Sequence, residues 1–167
     1  VRGDRDGLLV HERQQFDAAG RLASLSDRNG NNTNLSYDAQ GRLTLVSEPA
    51  GRTLTFAYAS PISTTLVSSV TDPLGRVISY GYDGNADLVS VTDATGAVTT
   101  LTYDANHRLL TLTDANGNQV VANTYDANGR VSEQRDAVNE LWQFLYDIVN
   151  KRTIVTDPLG RSASYQY

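Results

Sequence analysis

The chain has 167 residues, a formal net charge of -5 and neither Cys nor Met. The missing Cys excludes disulfide scaffolds, Cys-ligated zinc, iron–sulfur clusters and thiol nucleophiles. Two histidines, His11 and His107, leave little for a histidine-rich metal site or a histidine relay. Arg supplies every basic side chain except Lys151, and an acidic chain without clustered positive charge lacks a surface for tracking nucleic-acid phosphates. No apolar run approaches the roughly 18–20 residues of a membrane helix. Beginning at Val1 with no Met, the sequence is expected to be a segment of a longer polypeptide.

An internal repeat organises the chain. Residues 1–15 form a polar leader or partial repeat, and repeat units start near 16, 37, 58, 82, 103, 125 and 146. The marker is an aromatic column, Phe16, Tyr37, Tyr58, Tyr82, Tyr103, Tyr125, Tyr146 and Tyr167, with spacings of 21, 21, 24, 21, 22, 21 and 21. Most of these aromatics precede an Asp: Asp17, Asp38, Asp83, Asp104, Asp126 and Asp147. A second acid series lies between them: Asp27, Glu48, Asp72, Asp93, Asp114, Asp136 and Asp157. The spacing places a three-residue insertion within 59–71 and a single-residue insertion within 115–124.

Most of these acids open an acid-x-x-Gly turn, closed by Gly20, Gly30, Gly41, Gly51, Gly75, Gly96, Gly117, Gly129 and Gly160. Asp accepts from turn N–H groups, Pro at the second position (Pro49, Pro73, Pro158) has φ already set, and Gly takes φ > 0 without a Cβ clash. Such turns join antiparallel strands through a G1 bulge. Where Gly is missing, Asn139, Asn150 and His107 are expected to take the left-handed position, since Asn and His tolerate it best. Ala86 is a poorer substitute, and nearby Gly84 raises the expectation that this turn shifts register.

Between turns lie segments of about six or seven residues, the ordinary length of a strand. The strand leading to each aromatic alternates with period two, as in Leu54, Phe56, Tyr58 or Trp142, Phe144, Tyr146 on one face, which predicts half-buried antiparallel strands. The other strand carries apolar residues three apart, such as Leu22 with Leu25 and Leu43 with Val46. Either both faces are covered or a bulge re-aims one side chain. Residues 137–149 could be helical in isolation, but the repeat places them on strand columns. The reading is all-β: about fourteen strands in seven two-stranded units, forming a twisted, coiling sheet.

The string Tyr37-Asp-Ala-Gln-Gly-Arg-Leu43, followed by Val-x-Glu/Asp-x-x-Gly, resembles the YD repeat of RHS proteins, and the likeness runs from Phe16 to Tyr167. The resemblance implies a long antiparallel sheet that spirals into a hollow shell. Bacterial members of this kind are polymorphic toxins, toxin-complex subunits or wall-associated proteins, and teneurins carry a related shell. It implies a non-catalytic module of a secreted or cell-surface bacterial protein that encapsulates or displays a toxin or other cargo. Further YD repeats of the parent chain, or self-association through strand edges, would be its partners. Asp72-Pro-Leu-Gly75 and Asp157-Pro-Leu-Gly160 resemble the Asp-Pro-x-Gly string of the family's core motif, but both occupy the ordinary turn register.

No catalytic, cofactor-binding or metal-ligating residue is assigned. The acids read as turn caps rather than as calcium ligands or a glycosidase pair, and no Ser sits in a nucleophile elbow. The aromatic columns leave a glycan- or protein-binding adhesion module as the alternative function, and a self-associating extracellular fibre as another. Neither nucleic acid nor membrane insertion is expected. Arg2-Gly3-Asp4 matches a short integrin-binding tripeptide and Asn31 and Asn34 lie in glycosylation sequons, short matches that recur by chance.

Overall fold

The computed structural model describes residues 12–58 and 63–167. All regular structure among these residues is strand. The chain divides into two compact units, Val1–Ser79 and Tyr80–Tyr167. The first holds β1 (Arg13–Phe16), β2 (Leu22–Ser26), β3 (Asn32–Tyr37), β4 (Leu43–Ser47), β5 (Thr53–Ala57), β6 (Ser69–Thr71) and the start of β7 (Val77–Tyr82). The second continues with β8 (Leu88–Thr92), β9 (Val98–Tyr103), β10 (Leu109–Thr113), β11 (Gln119–Tyr125), β12 (Val131–Asp136), β13 (Leu141–Asp147), β14 (Arg152–Thr156) and β15 (Ser162–Gln166). Strand order in the sheet is chain order from β1 to β15. Among the described residues fifteen strands stand where the spacing indicates about fourteen, because β1 precedes the first full repeat. The 137–149 segment is strand, as the repeat register requires.

Pairing sorts the side chains by face, since residues opposite each other on neighbouring strands point the same way. In the first unit Leu25 faces Thr33, Val46 faces Leu54, and Phe56, Val70 and Ile78 follow in one row. In the second unit Leu101 faces Leu112, which faces Val121, and Phe144 faces Val155, which faces Ala163. This is the aromatic face. The opposite face is rich in hydroxyls: Thr55 faces Thr71, Ser69 faces Ser79, and Ser90 faces Thr100. Thr102 and Thr111 share a hydroxyl hydrogen bond of 2.6 Å there.

No large apolar side chain is fully buried among the described residues, and Ser24 is the one buried polar residue. A single layer has no second layer to bury it, so each repeat shields its neighbours only partly. Stability then comes from many equivalent nearest-neighbour contacts rather than one core.

The structure settles the three-residue spacing in favour of a bulge. Leu22 pairs with Phe16 and Ser24 with Gln15, leaving Ala23 without a partner. Thr44, Leu110 and Ser132 are the extra residues at the corresponding places. Each bulge turns a separation of three into the same face: Leu43 lies opposite Tyr37 and Val46 opposite Leu35. The single-residue insertion within 115–124 is also a bulge. Leu112 pairs with Val121 and Thr113 with Gln119, so Val120 is the extra residue and the column stays in phase. Part of the 59–71 insertion, residues 59–62, lies outside the described residues.

Two expectations about turns are corrected. Ala86 takes the left-handed position itself (φ 70), and its N–H donates to the Asp83 carbonyl at 3.1 Å, so the turn keeps the common register despite Gly84. In the last Tyr-Asp turn the left-handed residue is Lys151 (φ 50), not Asn150. Here Tyr146 pairs with Thr153 and Asp147 with Arg152 without a bulge. The extra residue is taken up in the turn, which moves the left-handed position one place along. Asn150 instead donates its backbone N–H to Asp147 Oδ1 (3.1 Å) and its side-chain amide to Oδ2 (2.7 Å).

Candidate functional site

The feature that recurs is a contact between repeats, and it begins in the turn. In 104–108, Asp104 Oδ1 accepts the N–H groups of Asn106 (2.8 Å) and Arg108 (3.1 Å), while the His107 N–H donates to the Asp104 carbonyl (3.0 Å). Arg108 Nε donates to Asp104 Oδ2 at 2.7 Å. One carboxylate thus caps the turn with one oxygen and holds the arginine with the other. Asp17–Arg21, Asp38–Arg42 and Asp126–Arg130 repeat the arrangement.

The fixed guanidinium serves the next repeat. Arg21 lies over the ring of Tyr37, Arg42 over Tyr58, Arg108 over Tyr125 and Arg130 over Tyr146, at 4.6, 4.7, 4.5 and 4.4 Å from the centroids. Each of these tyrosines also donates its hydroxyl to the carbonyl of the residue after that arginine: Leu22 (2.8 Å), Leu43 (2.9 Å), Leu109 (2.6 Å) and Val131 (2.9 Å). A tyrosine is therefore clamped to the preceding repeat by a cation–π contact of about 0.5–1 kcal/mol and a hydrogen bond worth about 1 kcal/mol net. The Gly-Arg-Leu string carried this signal in the sequence. What it lacked was the partner, a tyrosine 16 or 17 residues further on.

Besides the Asp147 turn, the Asp83 turn departs from the pattern. Asp87 stands where the arginine would be, and His107 of the next Tyr-Asp turn reaches it, with Nδ1 2.9 Å from both carboxylate oxygens. Burial, with the Asp87 and Asp83 carboxylates, holds the Tyr103 phenol above its usual pKa.

The second acid series caps turns without an aromatic partner. Asp114 accepts from the backbone and side chain of Asn118, and Asp72 and Asp157 hold Arg76 and Arg161. Glu48 pairs with Arg52, and Asp136 caps through the N–H groups of Val138 and Glu140. The nine turn glycines all have positive φ. Among the described residues no group of three or more His, Asp or Glu side chains is placed to hold a metal ion. Asn31 and Asn34 are exposed. Arg2-Gly3-Asp4 and His11 lie outside the described residues.

Hydrogen bonding shifts the caps in one direction. The side-chain donor of Arg108 lowers the Asp104 pKa, that of Asn118 lowers Asp114, and that of Thr95 lowers Asp93. A carboxyl whose pKa is depressed on folding adds stability above its unfolded value, about 4, and loses it as pH falls through the folded value. Thermal stability is therefore expected to be flat from pH 7 to about 5 and to fall steeply below about 4. Melting temperatures across that range test it, and a chain equally stable at both ends would contradict the capping role.

The RHS repeat family model matches residues 16–58, 87–119 and 125–162, more than half of the chain. The chain belongs to the RHS repeat family. No curated protein sequence matches it. Among solved structures, the TcdB2-TccC3 crystal structure superposes with a TM-score of 0.61 at 14% identity, covering 92% of this chain and 10% of that one, and shows the same fold. A Tc holotoxin pore from Photorhabdus luminescens gives a TM-score of 0.32 at 16% identity, over 93% of this chain and 13% of that one. The chain thus spans about a tenth of the length of the proteins it resembles.

Proposed function

We propose that the chain is a wall segment, a non-catalytic structural module of a larger β-shell or scaffold that encloses or displays cargo, such as a toxin domain, in a secreted or surface bacterial protein. The observation that carries this is the repeated Asp–Arg–Tyr clamp. At Tyr37, Tyr58, Tyr125 and Tyr146 it joins a repeat to the one before it and spends its polar groups on the chain itself. Each repeat is thereby a construction unit, and further repeats of the parent polypeptide would extend the wall by the same contacts.

Limited proteolysis of the parent polypeptide tests the reading. Enclosed cargo is expected to survive trypsin in the wild type and to be cut in the Arg108→Ala, Arg130→Ala double variant. Equal cleavage of the cargo in both proteins would sink the enclosure reading.

A further inference from the structure

Beyond the first strand, the aromatic face breaks its own pattern in one place. Two residues before the repeat aromatics from Tyr37 onward stand Leu35, Phe56, Tyr80, Leu101, Asn123, Phe144 and Tyr165, so Asn123 is the one amide there; Gln14, two before Phe16 on the first strand, faces Leu25 and has no amide opposite it. Along the alternate strands the column reads Leu25, Val46, Val70, Val91, Leu112, Gln134 and Val155, and Gln134 is again the exception. The two amides find each other. Gln134 Nε2 donates to Asn123 Oδ1 at 2.9 Å, and Asn123 Nδ2 donates to the Leu109 carbonyl at 3.1 Å. An apolar pair here would have matched every neighbouring repeat and avoided desolvating two amides. The bonds fix the plane of the Gln134 amide and leave its Oε1 as an acceptor on the face.

Trp142, the single tryptophan of the chain, lies directly opposite Gln134 in the β12–β13 pairing and is 37% exposed. Beyond it is a groove of about 190 Å³ bordered by Trp142, Val155, Asp157, Arg161, Ala163 and Tyr165. Arg161 Nε bonds Asp157 Oδ2 at 2.6 Å, and the guanidinium is otherwise exposed. Enclosed ligand pockets run to about 300–1,000 Å³, so this groove suits a single ring lying on an aromatic surface. A comparable groove in the first unit has the ion pairs Glu48–Arg52 and Asp72–Arg76 beside Leu54 and Leu74, but no aromatic platform and no amide.

We propose that Trp142, Gln134 and the Asp157–Arg161 pair form a carbohydrate-binding site that takes a neutral pyranose ring of an oligosaccharide. A pyranose has a C–H face that stacks on an indole and a rim of hydroxyls that both donate and accept. Gln134 Oε1 and the Asp157 carboxylate offer acceptors, and the Arg161 guanidinium offers donors. An anionic ligand suits the groove less, because Asp157 already balances its one cation. The inference is independent of whether the wall encloses cargo.

Trp142 is its own reporter. Its emission is titrated with cellopentaose, maltopentaose and chitopentaose in turn, using the intact chain. At least one is expected to give a saturable change. The double variant Asn123→Leu, Gln134→Leu restores the apolar column, so it is expected to unfold at the same temperature as wild type or higher while binding about tenfold or more weakly. Trp142→Phe keeps a ring for packing and is expected to weaken binding, read by calorimetry. No saturable change with any of the three sugars up to about 10 mM would overturn the proposal. So would wild-type affinity in the double variant.

Discussion

Replacing Tyr125 with alanine is expected to destabilise the chain by about 2–4 kcal/mol. A fully buried aromatic loses about 3–5 kcal/mol on truncation to alanine. Tyr125 is only half-buried, but it also gives up its 2.6 Å bond to the Leu109 carbonyl and its place under Arg108. For a chain of this length each kcal/mol moves the midpoint by roughly 2–4 °C. The informative comparison is Tyr103→Ala. Tyr103 occupies the same column, but Asp87 replaces the arginine that would cover it. Its loss should be smaller by about 1–2 kcal/mol, the combined worth of a cation–π contact and a hydrogen bond. A double-mutant cycle on Arg108 and Tyr125 should return a coupling of about 0.5–1 kcal/mol. Urea unfolding of the wild type and the four variants measures all of this. Equal losses at Tyr125 and Tyr103 would mean that the clamp contributes nothing beyond ordinary packing.

That comparison marks where the sequence stopped being legible. The repeat, the turns and the strand assignment rest on local chemistry, most often an acid and a glycine three residues apart followed by alternating residues, and each such signal lies within about ten residues. The arginine's role does not. Arg108 reads as an exposed turn residue until the sheet sets Tyr125 beside it, 17 residues later. The three-residue apolar spacing is ambiguous for a related reason. A strand without a bulge splits Leu43 and Val46 between faces, and only the pairing of Leu43 with Tyr37 and Val46 with Leu35 reunites them. Asn150 was the natural choice for a left-handed residue by intrinsic preference. Lys151 took the position because a hairpin without a bulge carries its extra residue in the turn, a choice made by strand register rather than by residue type. The Asn123–Gln134 pair was visible as two breaks in two columns, but their meeting depends on which strands pair.

Gly117→Val is expected to destabilise the chain by about 2 kcal/mol, and the reason can be isolated. Gly117 sits at φ +84 with nothing within 4 Å of where a Cβ would lie, so a side chain meets no neighbour there. The penalty belongs to the backbone: a β-branched residue at positive φ crowds its own carbonyl and loses most of its χ1 freedom. Gly117→Asn, which tolerates the same φ, should recover most of the loss. The opposite substitution has the opposite sign. Ala86 already holds the equivalent position at φ 70, where an L side chain is strained. Ala86→Gly should relieve roughly 1 kcal/mol of that strain, reduced by the greater freedom glycine gives the unfolded chain. Melting temperatures of the three variants decide the matter. If valine at 117 is tolerated and glycine at 86 gives no gain, the acid-x-x-Gly turns do not depend on a left-handed fourth residue. If both move as expected, one backbone conformation sets the register of units whose side chains otherwise differ.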